Sequence, residues 1–158
     1  MPEITERHAA RAILLTPDAE VLLLRVEVAN GRFWIAPGGG LRPGEDASQA
    51  LRRELAEEVG LDHAAIGPLL WRGQRLATLN GRRWRQHEQV FLVPVPRFVP
   101  VIRDRAEARL QREWRWWQRD EIRLTRERLV PESLARILRD LRDQGPPGTP
   151  PPIEVIEE

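Results

Sequence analysis

The segment RRELAEEVG, residues 52 to 60, places three carboxylates on one short stretch of strong helix-forming sequence. Glu54 precedes Glu57 by three residues and Glu58 by four. Like charges at these spacings destabilise a helix by roughly 0.2 to 0.5 kcal/mol per pair. The segment is therefore either a charged surface helix whose glutamates pair with arginines, or a set of carboxylates that a cation holds together.

The apolar side of this predicted helix indicates where the carboxylates point. At 100° per residue, Leu51, Leu55 and Val59 form an inward-facing stripe, and the three glutamates border and overlap it. A carboxylate in that position must be paired, protonated or bound to a cation. A hard divalent cation such as Mg²⁺, which takes carboxylate, water and phosphate oxygens, meets this need best.

The segment PGGGLRPGE precedes the helix and adds to the case for a metal site. Its three consecutive glycines allow the backbone to approach a ligand closely and to turn a carbonyl toward a metal. Glu45 lies just ahead of the helix, at the positive end of its dipole. A flexible turn with a capping acid would explain each part separately, but not why they lie together.

Residues 39–61 resemble the box motif of the Nudix hydrolase family. All of its fixed positions are matched, by Gly39, Glu45, Arg53, Glu54, Leu55, Glu57, Glu58, Gly60 and Leu61. The resemblance implies an α/β (α+β) fold in which a mixed β-sheet lies between helices. It also implies a pyrophosphohydrolase that uses Mg²⁺ or Mn²⁺ to cleave a nucleoside diphosphate linked to another moiety.

The resemblance also implies roles for individual residues of the box. Arg53 would orient the glutamates. The metal ligands implied by the motif are Glu54, Glu57 and Glu58, with Glu45 assisting and a backbone carbonyl of Gly38 or Gly39 completing the coordination. These are the expected catalytic and metal-binding residues.

One carboxylate has to act as the general base and cannot be a strong metal ligand. Within the box, Glu57 and Glu58 are the candidates. Many family members use a glutamate from a later loop instead, for which Glu107 is the first candidate here and Glu88 and Glu113 the next. A surface acid is the alternative interpretation of each of these later residues.

The candidate substrate-binding residues are Arg72, Arg85 and Trp84, which lie in the predicted hairpin after the box. Arginine can bind phosphate bidentately, and an aromatic ring can stack on a nucleobase. Solvated or ion-paired arginines, and a tryptophan packed in the core or in a dimer interface, are the alternatives.

The elements that must position these residues are strands mixed with two main helices. The sequence predicts a hairpin of strands 12–15 and 21–26 around Pro17–Asp18, a helix over 46–59, a hairpin around Asn80–Gly81, a strand and helical turn in REWRWWQRDEI, and a helix in PESLARILRDLRD.

The chain is expected to contain one Nudix hydrolase domain, residues 1–144, followed by a proline-rich tail, residues 145–158. The tail, GPPGTPPPIEVIEE, is expected to be extended and mobile. Its GPPGTP run is similar to the start of a nucleotide-binding P-loop, but that loop requires a lysine and the chain contains none.

Composition limits the remaining possibilities. The chain has no cysteine, so thiolate metal sites and cysteine nucleophiles are excluded, and its net charge of +1 argues against bulk binding of nucleic acid. The absence of a recognisable signal peptide or membrane span predicts a cytoplasmic protein without membrane partners, and a homodimer is possible.

The leading hypothesis is hydrolysis of a nucleoside triphosphate or a similar small nucleotide derivative. A Nudix-like module that binds a nucleotide without cleaving it is the alternative, although such a module could lose the box carboxylates. Cleavage of RNA ends would call for a basic groove, which the net charge does not suggest.

Overall fold

The computed structural model describes residues 3–103 and 111–156, and it confirms a mixed β-sheet with helices packed on it. The strands are β1 (Ile4–Leu15), β2 (Glu20–Val28), β3 (Gly31–Ile35), β4 (Gly38–Gly40), β5 (Leu69–Leu79), β6 (Arg82–Pro94), β7 (Gln111–Gln118), β8 (Leu129–Val130) and β9 (Ile153–Ile156). The helices are α1 (Ala47–Val59), α2 (Arg119–Leu124) and α3 (Leu134–Gln144). None of these helices is long and apolar enough to cross a membrane.

Strand β1 is the centre of the sheet. The strands follow the order β8-β3-β2-β1-β6-β5-β9, while β4 pairs with β1 and β7 pairs with β2. β1 runs parallel to β6 along its whole length, from Ile4 opposite Arg83 to Leu15 opposite Pro94. On its other side it pairs antiparallel with the three glycines of β4. This single strand therefore connects the glycine segment to the rest of the sheet.

One of the two predicted hairpins forms along its whole length, and the other forms only at its turn. Asn80 and Gly81 have φ of 53° and 76°, as a two-residue hairpin turn requires, and they join β5 to β6. The turn at Pro17–Asp18 also forms, but β1 and β2 pair only beside it, at Leu15 and Val21. The predicted first hairpin is thus right at its turn and wrong along its length, because β6 and β4 take up the hydrogen bonds of β1.

The core lies on both faces of the sheet because strand side chains alternate. On one face, Leu14, Leu22 and Leu24 pack with Leu51 and Leu55 of α1. On the other face, the intervening residues of the same strands pack with α2 and α3. That second cluster contains Ile13, Val21, Leu23, Trp117, Ile122, Leu134 and Leu138. Trp116 and Trp117 of β7 show the same alternation, since they lie in different clusters.

Helix α1 begins and ends close to the predicted limits, and its capping explains why. The side chain of Asp46 accepts the backbone N–H of Gln49 at 2.8 Å, and the side chain of Gln49 accepts that of Asp46 at 2.9 Å. This capping box satisfies two N–H groups at the start of the helix. Gly60 ends the helix in the left-handed conformation, with φ of 74°.

The tail prediction is wrong in one respect. Residues 153–156 are not mobile but form β9, which runs parallel to β5 from Arg72 opposite Ile153 to Arg75 opposite Ile156. Edge strand β5 offers unpaired backbone groups, and the tail satisfies them. The division of the chain at residue 144 stays a prediction.

Gly38 gives the first testable prediction, because its backbone touches β1. Its φ is 147°, and a Cβ added there would lie 2.1 Å from the carbonyl oxygen of Ala10. We expect Gly38→Ala to lower the free energy of unfolding by at least about 2 kcal/mol, from strain and overpacking together. Urea unfolding would measure it. Gly148→Ala is the control, since a Cβ there meets nothing within 4 Å; equal stability of the two variants would contradict the prediction.

Candidate metal and substrate site

Arg53 on α1 contacts three of the acids predicted to bind metal. Its Nε and Nη2 donate to the two carboxylate oxygens of Glu45, each at 2.8 Å. Its Nη1 donates to Glu54 at 2.9 Å and to Glu57 at 3.5 Å, and its Nη2 also donates to the carbonyl of Gly40 at 3.0 Å. One guanidinium thus joins the helix, the preceding loop and strand β4.

The pair formed by Arg53 and Glu45 is charged. The hydrogen bonds from Arg53, followed by one from the backbone N–H of Arg42, lower the pKa of Glu45 to about 2. The same bonds to Glu45 raise the pKa of Arg53 above its usual value. Both side chains are largely buried, with 16% of Arg53 and 19% of Glu45 exposed. The positive charge therefore stays in place, where it offsets the repulsion among the acids.

Two of the three glutamates of the box are buried, as the position of the apolar stripe predicted. Glu54 is 6% exposed and Glu58 is 2% exposed. Glu58 accepts the backbone N–H of Gly38 at 2.8 Å, which fixes the end of α1 against β4. Glu57 lies further out, with 31% of its side chain exposed.

The glycine segment forms the short strand β4. Gly38, Gly39 and Gly40 lie opposite Arg11, Ala10 and Ala9 of β1. A Cβ added to Gly39 would lie 2.6 Å from Cδ and Oε1 of Glu54. Only glycine allows this carboxylate to lie directly on the backbone, so the close approach expected of the glycines is observed.

These residues fit a hard divalent cation. Carboxylate oxygens and a nearby backbone are the donors that Mg²⁺ and Mn²⁺ prefer, and the Gly39 backbone provides a surface that a side chain would fill. Among residues 3–103 and 111–156, no three acidic or histidine side chains are grouped closely enough to hold a metal ion. Arg53 and the N–H of Gly38 hold individual carboxylate oxygens in this arrangement.

A cavity of about 470 Å³ lies over strands β1, β5 and β6, and its lining residues come from outside the box. Its volume is in the range of small-molecule sites. Its walls combine aromatic rings with charged and amide side chains. They include Phe33, Trp71, Trp84, Arg7, Arg11, Gln86 and Glu88.

Two arginines of β1 link this cavity to the glycine strand. Arg11 donates to Glu88 at 3.1 Å and to the carbonyl of Ala36 at 3.3 Å. The guanidinium of Arg7 lies 5.7 Å from the ring centre of Trp84, and its Nη2 would be 3.8 Å from a Cβ on Gly40. Neither arginine is among the residues predicted from the sequence, although strand alternation along β1 places both on one face.

The structure separates the three predicted substrate-binding residues. Trp84 lines the cavity. Arg72 does not line it, because its guanidinium donates to the carbonyl of Pro151 at 2.8 Å. Arg85 does not line it either, because it donates to Glu6 at 2.6 Å.

The three later candidates for the general base also fall in different places. Glu88 lines the cavity, with 14% of its side chain exposed. Glu113 is exposed on β7 and pairs with Arg25 at 2.9 Å. Glu107 lies outside the described residues. The last residue described before it, Arg103, donates its backbone N–H to the carbonyl of Glu57 at 2.8 Å.

Comparisons with known proteins concern the family and the fold. Residues 5–141 match the family described as the NUDIX domain. Diphosphoinositol polyphosphate phosphohydrolase 3-alpha of Mus musculus is 30% identical over 72% of this chain and 65% of its own length. Nucleoside triphosphatase NudI of Enterobacter sp. (strain 638) is 31% identical over 51% of this chain and 61% of its own. The chain thus spans less than two thirds of either relative.

Among solved structures, a MutT protein from Methanosarcina mazei Go1 superposes with a TM-score of 0.67. The alignment covers 90% of this chain and 96% of that chain, at 21% sequence identity. At this level of identity the likeness concerns the fold.

Arg53 gives the second prediction. Removing a partner from a largely buried ion pair leaves uncompensated charge, so we expect Arg53→Ala to lower the free energy of unfolding by about 3 kcal/mol. Arg53→Lys should recover only part of this loss, because lysine cannot form the two parallel bonds to Glu45. Urea unfolding in EDTA would measure both variants. The control is Arg52→Ala, an exposed neighbour on the same helix; a loss as large as that of Arg53→Ala would contradict the assigned role.

Proposed function

The chain belongs to the Nudix hydrolase family, and from this membership and the geometry of the box we propose that it is a metal-dependent pyrophosphohydrolase. Its proposed substrate is a nucleoside triphosphate or a similar small nucleotide derivative. The observation that carries the proposal is the complete set of box carboxylates, packed against a glycine strand beside a cavity of nucleotide size.

The proposed ligands of Mg²⁺ or Mn²⁺ are Glu54, Glu57 and Glu58, with Glu45 assisting and the Gly39 carbonyl completing the set. Nudix hydrolases generally use divalent metal ions. When bound, the ion supplies charge neutralisation for the diphosphate and activation of a water molecule. The chain itself positions these carboxylates. Arg53 donates hydrogen bonds to Glu45, Glu54 and Glu57, and the backbone N–H of Gly38 donates to Glu58.

Access to solvent distinguishes the candidates for the general base. A base must reach a water molecule directly or through one other water. Within the box, Glu57 meets this condition better than Glu58, which is 2% exposed and bound to Gly38, and in the role of base Glu57 would not be a strong ligand of the metal. Glu88 is the alternative at the cavity wall. Glu107 stays a prediction.

The proposed substrate position follows from the cavity walls. Trp84 is the aromatic surface on which a nucleobase would stack. Arg7 lies between that ring and Gly40, so its guanidinium is available to the phosphates as they pass toward the box. The relatives act, by their names, on a nucleoside triphosphate and on diphosphoinositol polyphosphates. These substrates share phosphoanhydride bonds, which supports the proposed bond type.

The proposal is tested by separating and quantifying the products of hydrolysis from a panel of nucleoside triphosphates, nucleotide sugars, dinucleotides and ADP-ribose, where cleavage of the diphosphate gives a nucleoside monophosphate together with pyrophosphate or a second phosphorylated product. The panel is run with Mg²⁺, with Mn²⁺ and with EDTA. Activity on at least one compound that EDTA abolishes is the expected result. Binding of a nucleotide without any metal-dependent release would favour the non-catalytic module instead.

The acids of the box give the third prediction. We expect Glu57→Gln and Glu58→Gln each to reduce kcat by about 10² or more on the best panel substrate, because each removes a charge from the proposed metal site. Circular dichroism and thermal melting would show that the fold is kept. Asp120→Asn is the matched control, since that acid is 79% exposed on α2. Near-parental turnover in both glutamine variants would refute the assigned site.

Trp84 gives the fourth prediction. Loss of one stacking ring costs about 1 to 3 kcal/mol of binding, so Trp84→Ala should raise KM for a nucleotide substrate about tenfold. Trp114→Ala is the control, because Trp114 lies on β7 with 39% exposure. Arg85→Ala should resemble this control, since Arg85 is bound to Glu6 away from the cavity lining. A KM increase in the control as large as that in Trp84→Ala would argue against stacking.

A further inference from the structure

Glu154 on strand β9 accepts hydrogen bonds from three separate parts of the fold. Trp71 Nε1 donates to it at 2.7 Å from β5, and Ser133 Oγ donates to it at 2.8 Å from the turn before α3. The guanidinium of Arg136 on α3 also donates to it. These donors, Trp71 first, hold the pKa of the carboxyl below its usual value. A charged carboxylate at this place therefore ties the edge of the sheet to the start of a helix.

Trp71 is one wall of the cavity described above, and Glu154 fixes its orientation. The indole is 5% exposed. It lies against Gly73, where an added Cβ would be 2.0 Å from the ring atom Cη2. Gly73 is also the residue opposite Glu154 in the β5–β9 pairing. The ring is thus held by Glu154 at its nitrogen and by the Gly73 backbone on its face.

The turn before α3 is a second wall of the same cavity. Val130, Pro131 and Glu132 line it, and Ser133 follows directly. Glu132 accepts the guanidinium of Arg75, another lining residue, at 2.6 Å. The bond from Ser133 to Glu154 holds the far end of this turn.

Strand β9 also reaches the cavity itself. Ile156 is a lining residue. Ile153 and Val155 point outward, with exposures of 50% and 66%, while Glu154 and Ile156 alternate with them and are half-buried. The strand thus has one face toward the walls and the cavity and one toward solvent.

We propose that Ile156 of β9 forms part of the substrate pocket and that Glu154 is a positioning residue for substrate selectivity. Glu154 joins Trp71 to the turn of residues 130–133, and so sets the distance between two walls of the cavity. Loss of this connection should loosen the fit of the substrate and leave the box acids, which Glu154 does not contact, unchanged. The inference rests on the proposed function in taking this cavity as the substrate pocket.

The test compares Glu154→Ala with Val155→Ala, a neighbour on the same strand whose side chain is exposed. Steady-state kinetics on the best panel substrate with Mg²⁺ should show KM raised about tenfold in Glu154→Ala, with kcat within about threefold of the parental value. The ratio of kcat/KM between the best and the second-best nucleotide should fall in the same variant. Val155→Ala should behave as the parental protein.

A second readout does not depend on catalysis. Hydrogen exchange of the free protein should be faster at residues 70–73 and at 130–134 in Glu154→Ala, and unchanged in Val155→Ala. A purely structural role of β9 predicts a lower melting temperature with unchanged KM and selectivity in the folded variant. That result would overturn the inference.

Two further outcomes are covered by the same experiments. If Glu154→Ala does not fold, Ser133→Ala takes its place, because it removes only one of the donors to Glu154. KM should then rise by a smaller factor. An unchanged KM together with an unchanged exchange rate in Ser133→Ala would overturn the inference. If the parental protein hydrolyses no panel substrate, the proposed function fails. Nucleotide binding, measured by isothermal titration calorimetry, then decides: weaker binding to Glu154→Ala than to Val155→Ala supports the positioning role, while equal affinities, or no binding by the parental protein, overturn it.

Discussion

Carboxylates at the buried face of a helix require a compensating positive charge and hydrogen-bond donors. The rest of this site depends on the groups that supply them. The guanidinium of Arg53 spans Glu45, Glu54 and Glu57, and the N–H of Gly38 meets Glu58. Both arrangements require strand β4 to touch helix α1. Consecutive glycines make this contact possible, because any side chain at Gly39 would occupy the position of the Glu54 carboxylate.

The same constraint connects the box to the cavity. β4 is paired only with β1 among the described strands, so the position of the acids is set by the central strand of the sheet. β1 also carries Arg7 and Arg11, which line the cavity; Arg11 lies opposite Gly38, and Arg7 lies two residues before Ala9, the partner of Gly40. A single strand therefore holds the acids on one side and a nucleotide-sized cavity on the other.

The sequence was sufficient for the parts of the structure that local chemistry decides. Helix α1 follows from its capping residues and Gly60, and the second hairpin follows from Asn80–Gly81. The sequence was insufficient where the local structure depends on pairing or hydrogen bonding with residues distant in the chain. The pairing of β1 with β6, the engagement of Arg72 by Pro151 and the strand formed by residues 153–156 all depend on such partners. Isolated segments carry no signal for them, and that is why the tail was expected to be mobile.

The parallel pairing of β1 with β6 also has a consequence for how the protein folds. Partners such as Ile4 and Arg83 are far apart in sequence, and the side-chain contact of Glu6 with Arg85 closes a separation of 79 residues. The glycine strand and helix α1 lie inside that closed loop. Non-local pairings of this kind slow folding, because chain entropy is lost before the contacts form. Helix α1 can form early from its own caps, whereas strand β4 joins the sheet through β1, whose pairing with β6 closes this long loop.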